Sequence, residues 1–284
     1  MSSHIKDNES VGRKIGMAFT YVILILFAVL AIAPILWLIM SSFKTSQSYQ
    51  LDRLGFPHEF FWQNYRDAWI RGHFGTFIIN SIIYTFVTVA AVILLGMMSG
   101  FAFAKIKMSC TKALYGSYIV GILMTLQSIM IPLFIVINQV GLYDTKLGVL
   151  IPYIGIGLPM GVYLCTEYIR SIPDALVESA RIDGASYMKI FLSIVVPMAK
   201  PVATTLAILT VSGTWNEFML INMLTSSTKN KSLPVGIQSF AGSLSTDYGK
   251  LFASLVIGML PMLIFYLVFR KEITKGVAAG AVKG

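Results

Sequence analysis

The sequence is poor in charge. Only 12% of its 284 residues are Asp, Glu, Lys or Arg, against about 25% in an ordinary soluble domain, and that shortage excludes a water-soluble globule before any motif is read. Cysteine is scarce as well. Cys110 and Cys165 are the two in the chain, with no pairing motif between them, so neither a disulfide framework nor a zinc site is indicated. His4, His58 and His73 lie far apart and match no metal-ligand spacing. With no histidine inside an apolar run, no paired carboxylates and no nucleophile beside a base, the chain lacks the parts of a membrane-embedded enzyme. It also has no Gly-x-x-x-x-Gly-Lys-[Ser/Thr] run, so it cannot cradle nucleotide phosphates through that loop. Acidic residues are fewer than basic ones, 13 against 22, for a net charge of +9. Nucleic-acid binding would gather that excess on one surface. Here the Lys and Arg are scattered over the breaks between apolar runs, as they are beside membrane spans.

What the chain has in abundance is apolar surface: 56% hydrophobic residues, with fifteen Met and eighteen Phe, and a mean hydropathy of +0.75. A helix crosses the ~30 Å hydrocarbon core with about 20 apolar residues. Runs of that length without charge occur at 15–43, 74–104, 113–143, 147–166 and 251–269, and 201–228 carries only Glu217. The expected fold is all-α, a polytopic membrane protein of six transmembrane helices at about 15–40, 76–104, 114–140, 147–166, 202–224 and 251–269. The first run could pass for a signal peptide, because Arg13 and Lys14 precede it and Ala31-Ile32-Ala33 mimics a cleavage site. Its apolar stretch continues to Met40, however, well beyond the roughly 7–15 residues of a signal core, so it reads as an uncleaved anchor. If the N-terminus is cytoplasmic, 14 of the 22 basic residues fall on the cytoplasmic side and 8 outside. That bias places both termini inside. The chain then divides into a cytoplasmic N-terminal segment 1–14, a six-helix membrane domain 15–270 and a cytoplasmic tail 271–284. Pro34, Pro132, Pro152, Pro159 and Pro261 punctuate the spans, which neighbouring helices make tolerable. Gly96-x-x-x-Gly100 and Gly157-x-x-x-Gly161 read as ordinary close packing of helices.

One segment breaks the pattern. Residues 171–197 crowd Asp174, Glu178, Arg181, Asp183 and Lys189 between two apolar runs, on the expected cytoplasmic side. Ser171, Pro173 and Asp174 resemble a capped helix start. Gly184 is placed to end that helix in a left-handed turn, and Ser186 can cap a return helix that stops near Pro197. Leu176, Ala180 and Asp183 share one face, with Glu178, Arg181 and Ile182 beside it, a mixed surface suited to docking on a soluble protein. A bare connector needs only a few residues. A helix lying on lipid headgroups would carry more bases than acids, yet residues 174–183 hold three acids and one base.

The stretch ESARIDGASYMKIFLSIVVP resembles the EAA signature of the permease subunits of ATP-binding-cassette importers, with Glu178, Ala180, Gly184 and Pro197 in the signature positions and Ser179 departing from the middle alanine. Asp183-Gly184-Ala185 is similar to the carbohydrate branch, the maltose-type and multiple-sugar-type permeases. Trp62-Gln63-Asn64-Tyr65, Trp215-Asn216-Glu217-Phe218 and the ending GVAAGAVKG extend the likeness over nearly the whole chain. The resemblance implies a non-catalytic membrane subunit of a bacterial cytoplasmic-membrane importer. It implies a second homologous permease, two ATPase subunits that bind ATP and Mg²⁺, and an extracytoplasmic binding protein that delivers a sugar, an oligosaccharide or a sugar derivative. No cofactor is then expected in this chain, and no nucleic acid. The ATPase would receive Glu178, Ala180, Arg181, Asp183, Gly184, Ala185 and Pro197. The tail residues Ala278, Ala279, Gly280 and Gly284 would reach it too. Asn64, Tyr65 and Asp247, in outer loops, would meet the binding protein.

Glu217 is the one carboxylate well inside an apolar run, and such a group normally faces a partner or a cavity. With Asn216, and with Gln127 in the third span, it could border a path for sugar hydroxyls, which suit carboxylate and amide partners. It could equally hold helices together. A self-powered transporter or channel is the competing class. It would want ion ligands on broken helices in related halves or rings of like residues, and neither an internal repeat nor such a ring is evident.

Overall fold

The computed structural model describes residues 3–106, 109–241 and 246–281, with side chains described at 16–106, 109–241 and 246–272. Among the described residues the chain is helical, and its only β pairing is a bridge between Ala241 and Thr246. It divides into two compact units, residues 1–71 with 240–257, and residues 72–239 with 258–284.

The first unit holds α1 (Ser3–Ser42), α2 (Ser46–Leu51) and α3 (Gln63–Arg71). The apolar window of α1, within Gly16–Ser42, has no buried residue among the described residues. Beyond it the chain wraps the end of the helix. Trp37, Tyr49, Tyr248 and Phe252 form an aromatic cluster, with the Tyr49 and Phe252 rings 4.8 Å apart. Such edge-on and tilted pairs each add to what burial alone supplies.

The second unit is built on α4 (Phe74–Lys105) and α7 (Lys146–Arg170), with α5 (Thr111–Leu123) and α6 (Leu126–Gln139) between them in sequence. The two small-residue spacings read from the sequence meet one another here. A Cβ on Gly96 would lie 3.1 Å from the Gly161 backbone, one on Gly100 2.8 Å from Cys165, and one on Gly157 2.8 Å from Val92. Backbones this close leave no room for a methyl group, and dispersion across the seam replaces the hydrophobic force that lipid cannot supply. Then follow α8 (Asp174–Ile182), α9 (Tyr187–Ile190), a π-helical turn (Phe191–Val195), α10 (Val196–Met198), α11 (Lys200–Trp215), α12 (Met219–Leu224), α13 (Leu233–Gln238) and α14 (Tyr248–Ala281), the last of which begins in the first unit.

The helices α1, α4, α7 and α14 each carry a stretch long and apolar enough to cross a membrane. The other two expected spans differ from a simple helix. Residues 114–140 fold as α5 and α6, bent by 108° where Met124 and Thr125 are extended. Residues 202–224 are not one helix either, because α11 ends at Trp215. The bent apolar pair in this region joins 187–198 to 200–215 at 74°, so the return helix and α11 together make the membrane-length segment. At sixteen residues, α11 alone reaches only ~24 Å.

Candidate functional site

The segment from Pro173 to Met198 is a helix, a reversal and a return helix. Its start is not the capping box expected of Ser171. Ser171 ends α7, its hydroxyl bonded back to the Tyr168 carbonyl at 2.7 Å, and Pro173 stands at the N-cap of α8. The reversal is as the residues imply. Gly184 has φ +78°. Its N–H bonds to the Arg181 carbonyl at 3.1 Å, and the Ala185 N–H bonds to the Ala180 carbonyl at 2.9 Å. This is the paired pattern of a Schellman stop, which satisfies the last carbonyls of α8. Ser186 then accepts the Lys189 N–H on its hydroxyl at 3.3 Å, capping α9. The return helix stops near Pro197, at Met198, with the proline itself inside its last turn. The proline lacks the N–H that would reach back one turn, and the turn before it is π-helical, with the Val196 N–H bonded to the Phe191 carbonyl.

The inward face of this hairpin is apolar. Val177, Ile190, Phe191, Val195 and Ala199 are buried with Met97, Phe101, Cys165, Ile169 and Ile172 from α4, α7 and the turn after it. Lys105 clamps its base, with its ammonium donating to the Ile172 carbonyl and the Asp174 carboxylate, both at 2.5 Å. The hairpin is therefore fastened to the α4–α7 pair. Ala180 and Ala185 pack on that inner cluster. Arg181 folds over the turn, its guanidinium 4.5 Å from the centre of the Tyr187 ring and bonded to the Ala185 carbonyl. Glu178, Ile182, Asp183 and Gly184 face outward, Ile182 at 87% exposure. Glu178 lines a recess of about 450 Å³ with Lys105, Lys112, Arg170 and Asp174.

Glu217 sits where α11 gives way to α12. One carboxylate oxygen accepts the Leu220 N–H at 2.7 Å; the other accepts the Ile221 N–H at 3.1 Å and the Tyr153 hydroxyl at 2.6 Å. It replaces the carbonyl partners that α12 lacks at its start and ties that start to α7. It also borders a cavity of about 270 Å³ lined by Tyr153, Gly157, Thr210, Gly213 and Thr214 among others. Its expected companions are elsewhere. Asn216 is exposed and turns back on its own helix, donating to the Ser212 carbonyl at 2.9 Å, and Gln127 is exposed on the first turn of α6; neither lines the cavity. The far end of α12 is held by Asp144, which the sequence reading did not single out. Its N–H bonds to the Leu224 carbonyl at 3.0 Å, and its carboxylate accepts the Ser226 and Ser227 N–H groups at 3.1 Å and the Ser227 hydroxyl at 2.9 Å. Burial raises its pKa, but the bonds from Ser227, Asn230 and Ser226 outweigh that and hold the carboxyl at about 2. Tyr153 also went unremarked. The signal available was a tyrosine deep in an apolar run, whose hydroxyl needs a partner when buried.

The residues expected to meet a binding protein are hydrogen-bonded within the first unit. Asn64 is buried, its amide donating to the Ser42 and Lys44 carbonyls at 2.8 Å each. The Tyr65 hydroxyl bonds to that of Ser42 at 2.6 Å. Asp247 accepts from the Ser46 hydroxyl at 2.8 Å and pairs with Lys250 at 2.7 Å. All three fasten the first unit together, so the Asn-Tyr pair is a clamp on the end of α1. Ala278, Ala279 and Gly280 lie on the last turns of α14, and Gly284 lies outside the described residues.

Long apolar helices, with an outward-facing polar hairpin fastened to two of them, are the features of a multi-pass membrane protein. Comparison with known proteins specifies the class. The family described as binding-protein-dependent transport system inner membrane component matches residues 92–271, and the chain belongs to that family. It is 31% identical to the diacetylchitobiose uptake system permease protein of Streptomyces coelicolor, over 94% of this chain and 89% of that one. To the multiple sugar-binding transport system permease protein of Streptococcus mutans it is 33% identical, over 95% and 98%. A crystal structure of a bacterial ABC transporter involved in the import of the acidic polysaccharide alginate has the same fold, with a TM-score of 0.78 at 23% identity, over 91% of this chain and 96% of that one. The protein is thus an inner-membrane permease component of the ABC-transporter class, whose permease subunits are not catalysts.

Proposed function

We propose that this chain is one of two membrane subunits of an ATP-driven importer that carries a sugar, an oligosaccharide or a sugar derivative, delivered by an extracytoplasmic binding protein. Its motor is a separate pair of ATPases, which hold the ATP and Mg²⁺. The carrying observation is the hairpin: a Schellman reversal that thrusts Glu178, Ile182, Asp183 and Gly184 outward while its inner face is bonded into the α4–α7 pair. A force applied at Gly184 reaches the membrane helices without passing through a loose connector. On this reading the hairpin and both termini are cytoplasmic, Glu178 meets a basic residue of the ATPase, and the turns from Ala278 to Gly280 approach the same partner. The sugar class rests on the curated relatives, and the cavity beside Glu217 offers one acidic group and the hydroxyls of Tyr153, Thr210 and Thr214 to a hydroxylated solute.

The test is retention of the ATPase during purification in mild detergent. Wild-type chain should keep it, and Gly184→Trp or Glu178→Lys should lose it while still inserting in the membrane. Sugar uptake that persists in cells without any ATPase would instead establish a self-powered transporter. The transport path is tested separately. Altered uptake or substrate preference in Glu217→Gln, whose size is unchanged, places Glu217 on the path; unchanged uptake leaves it the role of holding α12.

A further inference from the structure

The loop between α2 and α3 is built inside out. Lys44, in the turn between α1 and α2, is 2% exposed, and its ammonium donates to the Asp52 carbonyl at the start of this loop at 2.7 Å. The Asp52 carboxylate turns back on the Gly55 N–H at 2.8 Å. Meanwhile Leu51, Leu54 and Phe56 are 83%, 80% and 78% exposed, followed by Phe60 and Trp62 at about two-thirds. In water a short surface loop does the reverse, because contiguous exposed apolar side chains are rare on soluble surfaces and mark an apolar neighbour.

This loop is also pinned. The Trp37 indole N–H donates to the Arg53 carbonyl at 2.9 Å, which draws residues around 53 back along α1 to the level of Trp37. At its other end the Phe61 N–H bonds to the Phe43 carbonyl at 3.0 Å, and Phe43 packs edge-on against Phe60 and Trp62. Levels along α1 locate the loop relative to lipid. The charge-free run begins at Ile15, and at 1.5 Å per residue Trp37 lies ~33 Å further along the axis. The hydrocarbon core is ~30 Å thick. Residues around Arg53 therefore lie at the boundary between acyl chains and headgroups, where tryptophan and other amphipathic side chains concentrate, while Phe61, held at Phe43, lies ~9 Å further out. The apolar window of α1 that precedes the loop is likewise unburied.

We propose that residues 51–56 form an interfacial foot, an apolar loop seated in the membrane surface at the C-terminal end of α1, with lipid as its occupant. A soluble partner would have to reach past the end of α1 to cover Leu54 and Phe56. The lipid is already at that depth. The foot would fix the height of α1 in the bilayer and hold the first unit against the membrane surface, with Arg53 and His58 placed to meet headgroups.

Spin labels at Leu51→Cys, Leu54→Cys and Phe56→Cys test it, each made with Cys110→Ser and Cys165→Ala in the assembled transporter in lipid nanodiscs. Collision with oxygen, which concentrates in lipid, is compared with collision with a water-soluble nickel chelate. A label at Leu30 on α1 serves as lipid reference and one at Ser226 as water reference. The expected result is an oxygen-to-nickel ratio shifted toward the Leu30 value at all three positions. A ratio matching Ser226 places the loop in water, and exclusion of both reagents means a protein partner covers it; either overturns the proposal. Three positions guard against one variant failing to assemble.

Discussion

Two of the interruptions in the second unit's helices treat charge in opposite ways. At the hairpin from Pro173 to Met198 the apolar residues are turned in and the polar ones out. The carboxylates of Glu178 and Asp183 make no hydrogen bond or ion pair with another described residue. At the break between α11 and α12 the carboxylate is turned in and saturated. Glu217 closes the start of α12 and Asp144 its end, the two accepting at least six hydrogen bonds from within the chain. A charge satisfied by its own chain is accounted for by folding. A pair of carboxylates held out on a rigid turn is left for solvent or a partner to satisfy. Substitutions at the two places should therefore fail in different assays.

The largest effect is expected at Gly184. A Cβ there meets nothing within 4 Å, but the backbone is left-handed. Gly184→Ala and Gly184→Trp thus share a backbone cost of about 1–2 kcal/mol and differ only in what projects outward. If the turn seats in an ATPase, Gly184→Ala should reduce transport-coupled ATP hydrolysis partially, and Gly184→Trp should abolish it along with ATPase retention. Equal effects from the two variants would mean the backbone alone matters, and the comparison between the two regions would break.

Next in size is Glu217→Ala, which leaves the Leu220 and Ile221 N–H groups and the Tyr153 hydroxyl without their acceptor. Hydrogen bonds to a charged group contribute about 1.5–3 kcal/mol each, and with partial compensation a loss of about 3 kcal/mol is expected, read as a lower thermal unfolding midpoint of the purified chain. ATPase retention should be unaffected at temperatures where the protein is folded. This is the inverse of the Gly184→Trp result, and a Glu217→Ala protein of normal stability would remove the anchoring role.

How much of this was legible follows from the range of the interactions. Gly184 and Ser186 are read directly, because a left-handed stop and a cap are made by neighbours in sequence. The glycine pairs of α4 and α7 are legible as packing residues, though not as partners of each other. The break at Asn216–Phe218 is not legible. The apolar run continues through it, and what holds it open is Tyr153, 64 residues away. The 108° bend between α5 and α6 has no glycine or proline at its corner. Asn64 and Tyr65 show the opposite difficulty, since a motif is visible in the sequence but its direction is not. A loop motif reads as surface, yet its amide and hydroxyl serve the end of α1.

Asp144 sharpens the comparison through pH. Its folded pKa of about 2 lies below the ordinary 3.8. A depressed carboxyl contributes stability that is complete above its unfolded value and is lost as pH falls through the folded one. The difference in unfolding midpoint between wild type and Asp144→Ala should therefore be constant above about pH 5 and shrink between about pH 4 and pH 2. A difference that stays flat down to pH 2 would mean that the Ser226–Ser227 turn does not bind the charged form.

The smallest effect isolates the hairpin's own stability from its docking. Ser186 caps α9 through the Lys189 N–H, and replacing such a cap by alanine costs about 1 kcal/mol. The hydroxyl lies on the exposed side of the return helix, while α9 itself stays fastened through Ile190 and Phe191 to the buried cluster. Ser186→Ala should then lower the unfolding midpoint slightly, leave ATPase retention intact, and raise amide hydrogen exchange only around residues 187–189. If this mild variant instead releases the ATPase as completely as Gly184→Trp, the hairpin is not a rigid arm carried by α4 and α7, and its shape depends on the partner that grips it.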